Sequence, residues 1–167
     1  MQLCPDCRYL YHSESRLPCC MCCDSTHLSI PCSENTVEIV NSLLDRGIKV
    51  VSASCDIHDL VDYIDGKVVT GKSVQIQIEL GYLYDDLFID PPLPPDWLVY
   101  EYSPIINHRI GPKHTGLSHS QDFIPLDSEE LEFATALTIS NLELWVDSYD
   151  KDGFKSVLKL GGYEPDQ

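Results

Sequence analysis

Two pairs of cysteines near the start of the chain have the spacing of metal ligands. Cys4 and Cys7 flank Pro5 and Asp6, and the stretch PCCMCC repeats the same spacing as either Cys20 with Cys23 or Cys19 with Cys22. Two cysteines separated by two residues bend the backbone so that both sulfurs reach one ion at about 2.3 Å. Eleven or twelve residues separate Cys7 from the second pair, depending on which register is used. We take Cys4, Cys7, Cys20 and Cys23 as the ligands, with Cys19 and Cys22 as the alternative register. Four thiolates complete the tetrahedral shell of zinc and leave it no open position, so the ion expected here is structural Zn2+ and not catalytic. Iron in a rubredoxin-like site and a disulfide arrangement are the rivals.

The remaining chemistry-bearing residues form weaker patterns. His12, Glu14, Pro18, Cys19 and Cys22 spell the HxE and PCxxC elements of zinc deaminases, but three residues, 15 to 17, separate two elements that those enzymes place on different helices. That geometry cannot be built. Cys55 and His58 sit where a strand is expected to give way to a helix, a place where a helix N-terminus and an imidazole can activate a thiol as a nucleophile. The alternative is a small buried cysteine beside a surface histidine, with Asp56 and Asp59 opposing thiolate formation. His108, His114 and His119 share a segment with Arg109, Lys113 and Asp122, and could bind a second metal or exchange protons. Their irregular spacing fits solvated loop residues better. No P-loop, dinucleotide fingerprint or GxSxG elbow is present.

These residues need elements to hold them. From Asn35 the chain turns helical: Val37, Val40 and Leu44 recur on one face with Ile39 and Leu43 beside them, Asn35 and Glu38 resemble a capping box, and Gly47 is the stop. Residues 48 to 54 form a β-branched strand, and Asp56 is expected to cap a short helix carrying Ile57, Leu60, Val61 and Ile64 and ending at Gly66. The strongest alternation in the chain is Val74, Ile76, Ile78 and Leu80 against Gln75, Gln77 and Glu79, a strand with one buried and one wet face. A stiff proline segment, IDPPLPPDW, leads into a strand at WLVYEY, and residues 103 to 126 read as a long loop rich in proline and glycine. The longest helix is expected over 128 to 149, apolar on two sides, through Leu131, Ala134, Thr138, Leu142, Trp145 and Tyr149 on one and Phe133, Leu137 and Leu144 on the other. FKSVLKL, residues 154 to 160, is a candidate last strand.

The whole chain has 167 residues, 43% of them hydrophobic, which suits one folded domain with a small appendage. Its net charge of −16, with only 11 lysines and arginines, disfavours direct binding to nucleic acid. The acidity serves solubility, or an acidic face docks on a basic partner or imitates a nucleic acid. No signal peptide and no apolar run of about 20 residues is visible, so we expect a cytoplasmic protein, whose clustered thiols favour metal over disulfides.

The order of these features resembles that of small uncharacterised proteins encoded by phages and mobile elements of bacteria. Those proteins open with a CPxC ribbon, continue through a helix ending in glycine and a strand running into an SCSGH-type motif, and close with a Leu-Pro segment and a tryptophan-bearing helix. The matching stretches here are CPDC, LLDRGIKVVSASCDIH, SVQIQIEL, PLPPDW and LELWV, with Asp56 and Ile57 where that motif has serine and glycine. The resemblance implies a fold and a phage-like origin, and no established activity.

Together these features predict an α+β protein: a zinc ribbon over residues 1–32, then an α+β domain over 33–167 in which a small antiparallel or mixed sheet packs on two to three helices. The expected function is a non-enzymatic, zinc-stabilised acidic interaction protein that binds a host protein complex such as transcription or defence machinery. The alternatives are a small enzyme using Cys55 with His58 or the loop histidines, and a nucleic-acid mimic. Oligomeric state is open.

Overall fold

A computed structural model of the chain describes residues 1–13, 20, 22–23, 25–81, 92–106, 109–123 and 128–148. The fold is α+β with antiparallel strand pairing throughout its sheets and two described α-helices. Three two-residue strands, β1 (Gln2–Leu3), β2 (Leu10–Tyr11) and β3 (Ile30–Pro31), form a small N-terminal sheet in the order β2-β1-β3. Leu3 and Ile30 face each other in register and are both buried, so this sheet is anchored from within as well as by its turns.

Helix α1 (Val37–Asp45) follows a 3-10 turn at Glu34–Thr36, and its cap is Thr36 without a side-chain cap bond, in place of the Asn35 capping box. It stops as expected: Gly47 takes φ +78, a left-handed conformation open to glycine at little steric cost, and its N–H reaches the Leu44 carbonyl at 2.9 Å.

The main sheet has the order β4-β5-β9-β6, from β4 (Val50–Ile64), β5 (Lys67–Gly81), β6 (Leu98–Tyr102) and β9 (His114–Phe123). A second small pair, β7 (Ile105–Ile106) and β8 (Arg109–Ile110), lies between β6 and β9 in the chain. Two expectations fail here. The helix expected from Asp56 is instead the second half of β4, because Asp65 and Gly66 take φ of +51 and +76 and close a two-residue hairpin onto β5. Among its described residues the expected long loop of 103 to 126 is largely strand: Thr115, Leu117 and His119 are buried on one face, with Ser118 and Ser120 more accessible between and after them, a pattern masked by polar composition.

Helix α2 (Ser128–Ser148) packs against α1 and shares the core of the sheet. Its Leu131, Ile139, Leu142, Trp145 and Val146 join Ile39, Val40 and Leu43 of α1 and Val74, Ile76, Ile78 and Leu80 of β5 in one core. Leu3, Ile30 and Cys32 belong to that same core. A buried arginine links the helix ends: Arg46, just past α1, bonds the Ser42 carbonyl at 3.0 Å and Asp147 of α2 at 2.9 Å. The strand expected at 154–160 lies outside the described residues. No described helix is long and apolar enough to cross a membrane.

Candidate metal centre

The N-terminal turns bring four sulfurs together. Positive φ at Arg8 turns the chain back after Cys7, and the Cys4 carbonyl accepts from the Arg8 N–H at 3.1 Å while the Cys4 N–H donates to the Tyr9 carbonyl at 3.0 Å. A second turn closes with the Cys20 N–H on the Ser25 carbonyl at 2.8 Å. As a result the sulfurs of Cys4, Cys7, Cys20 and Cys23 all lie within 4.8 Å of one another. Cys4 and Cys23 are 3.8 Å apart and Cys7 and Cys20 are 3.6 Å apart.

Those separations decide between the candidate chemistries. A tetrahedron with bonds of about 2.3 Å has edges of about 3.8 Å, whereas a disulfide needs about 2.05 Å. None of the described cysteines forms a disulfide, and the donor set, four soft sulfurs within 4.8 Å of one another, fits a metal ion with a closed shell. The backbone N–H groups of Cys22 and Cys23 draw the Cys20 thiol down to about 7, and the Cys22 N–H lies 3.3 Å from the Cys20 sulfur. Amides aimed at a sulfur favour the thiolate that a metal requires. Cys22 is exposed, lending the cluster its amide and not its thiol, and Cys19 lies outside the described residues, as do Glu14 and Pro18.

A lock that sequence spacing does not announce joins the two turns. Asp6, inside the first Cys-x-x-Cys, accepts hydrogen bonds from the Ser25 hydroxyl and from His27 Nδ1 at 2.9 Å, and the Ser25 oxygen in turn accepts from the His27 N–H at 3.1 Å. The Ser25 and His27 bonds hold the Asp6 carboxyl below its usual range. One carboxylate on the first turn therefore grips two residues just beyond the second. The only signal was a polar pair two and four residues after Cys23.

The other candidates are dispersed. Cys55 and His58 are three residues apart on one strand and so lie on opposite faces of the sheet, Cys55 opposite Ile76 and His58 opposite Ser73. Burial pushes the Cys55 thiol up, with Asp56 adding to the effect, so the group stays protonated. No helix N-terminus stands beside it, because β4 continues through Asp56. His114 and His119 are five residues apart on β9 and also point to opposite faces. His119 is buried against Trp97, with ring centroids 5.6 Å apart, and burial pushes its imidazole down. Arg109 is exposed, Lys113 pairs with Glu101 at 3.0 Å, and His108 lies outside the described residues.

Comparison of the chain with protein-family models, with curated proteins and with solved structures finds no match.

Proposed function

We infer that the chain is a non-enzymatic interaction protein, acidic and held at its N-terminal end by structural zinc, of the kind that phages and mobile elements encode, and that it docks on a host protein complex such as transcription or defence machinery. The observation that carries this is an apolar stripe on the outward side of α2. Phe133, Ala136, Leu137, Ser140 and Leu144 are all exposed, Phe133 by 70% and Leu144 by 67%, and they fall at the i, i+3, i+4, i+7, i+11 spacing of a helix face offered to a groove. Glu129, Glu130 and Glu132 border its start. An apolar stripe with an acidic margin on a chain of net charge −16 suits a groove with a basic rim.

The zinc assignment rests on the four-sulfur geometry, which closes the ion's shell and gives it a scaffolding role. An enzymatic role for Cys55 and His58 has no support in their placement on opposite faces of β4.

The test pairs two variants. Leu137→Asp adds charge to an exposed position and leaves the α2 core untouched; Glu143→Gln is a control on the same helix. A host protein retained by the wild-type chain and the control, and lost by Leu137→Asp at unchanged helix content, supports the assignment. Retention indifferent to Leu137→Asp, or no partner above background, overturns it.

A further inference from the structure

The β4-β5 hairpin is longer than the sheet that carries it. The ladder between β5 and β9 ends at Lys72↔Phe123, but β4 and β5 continue together to Ile64↔Lys67. Residues 60 to 71 are therefore a two-stranded arm projecting from the sheet. Isolated two-stranded ribbons are marginal in water. This one exposes Val61, Tyr63, Ile64 and Val68, with Tyr63 72% accessible, and Ile57 is exposed on β4 just before it.

The outer edge of β4 is also open. Near its start that edge is closed by Ser33: the Ser33 N–H donates to the Ala53 carbonyl at 3.0 Å, and the Cys55 N–H donates to the Ser33 hydroxyl at 3.1 Å. Beyond Cys55, no described strand pairs with it. Because Ala53 and Cys55 turn their backbone groups outward, so do Ile57, Asp59, Val61 and Tyr63, since outward and inward groups alternate along a strand. Consistent with this, the Tyr63 N–H is taken up by the Asp62 carboxylate at 2.7 Å.

We propose that two copies of this chain pair antiparallel along the outer edges of β4, about a two-fold axis at Leu60. Alternation restricts the register, because outward-facing residues must oppose outward-facing residues, which allows only axes that fall on a residue. An axis at Asp59 sets Asp59 against itself and Asp56 against Asp62. An axis at Val61 gives no charge pairing. The axis at Leu60 places Leu60 on Leu60, Ile57 on Tyr63, Asp59 on Val61 and His58 on Asp62, each unlike pair occurring twice. No aspartate then directly opposes another, although Asp56, Asp59 and Asp62 recur every three residues. Asp59 is already neutralised within its own chain by Lys72. Cross-strand apolar and opposite-charge pairs stabilise a ladder, and a symmetric contact is the commonest closed assembly. The pairing also satisfies the free edge that a long exposed strand otherwise offers to aggregation.

The experiment is sedimentation of the full chain at roughly 0.15 M salt or above, where repulsion between two acidic chains is screened. His58→Asp sets like charges opposite each other twice and is expected to weaken the dimer about tenfold or more, and His58→Asp with Asp62→His is expected to restore it. Leu60 faces itself at a narrow, non-hydrogen-bonded position, so Leu60→Cys is expected to give a symmetric cross-link between residues 60 under mild oxidation, identified by peptide mass, and Val61→Cys is not. A wild-type monomer, a dimer indifferent to His58→Asp, or a cross-link favouring position 61 overturns the proposal. The α2 stripe is untouched by these variants, so the outcome is independent of partner docking.

Discussion

At the scale of single residues, Cys20 and Cys22 make the sharpest contrast. They are two positions apart and both lie in the cysteine run, yet Cys20 is buried with its sulfur in the cluster while Cys22 is exposed. Cys20→Ser is expected to abolish stoichiometric metal binding and lower the melting temperature, since a structural zinc site contributes its binding energy to folding. Cys22→Ser is expected to leave both within error, because the contribution of that residue is its backbone N–H. Elemental analysis and thermal melts of the two variants check this, and equal metal loss in both would refute it. The two Cys-x-x-Cys spacings are legible in the sequence because they act over four residues. The lock of Asp6 on Ser25 and His27 is not, because it spans about twenty positions and uses common polar types.

Among the elements, the strands with an apolar alternation could be read directly. Val74, Ile76, Ile78 and Leu80 announce β5, and Gly47 announces the end of α1. The arm was hidden because Ile57, Leu60, Val61 and Ile64 fall at the i, i+3, i+4, i+7 spacing of a helix and on opposite faces of a strand; Asp65-Gly66, the hairpin signal, was the better guide. Strand β9 was hidden because its buried row is Thr115, Leu117, His119 and Phe123, only one of them aliphatic. That strand also carries a tight contact. A Cβ added at Gly116 would stand 2.1 Å from Cζ of the Tyr100 ring, which lies across it from β6. Gly116→Ala is expected to cost about 1–3 kcal/mol through forced displacement of that ring. In urea unfolding, the penalty should largely vanish in a Tyr100→Ala background, and additive effects would count against the contact.

For the molecule as a whole, stability should depend on pH through a buried base. Burial holds the His119 imidazole below its ordinary value of 6.5, so the unfolded chain takes up a proton before the folded chain does. Stability contributed by the neutral group is intact above about 6.5 and is lost as the pH falls from there toward the lowered native value. Melting temperatures of the wild type and His119→Gln, measured from about pH 7.5 to 5, should diverge with acidification, the wild type falling faster. Parallel curves would exclude His119 as a source of acid sensitivity, since metal release by protonated thiols acts on both chains alike.

Leu3, Ile30 and Cys32 sit in one interior with both helices and with β5. Oxidants reaching Cys7 and Cys23, the more accessible of the four clustered cysteines, thus act on turns whose strands line the centre of the molecule. Copies that lose those turns expose that shared interior and become substrates for proteolysis.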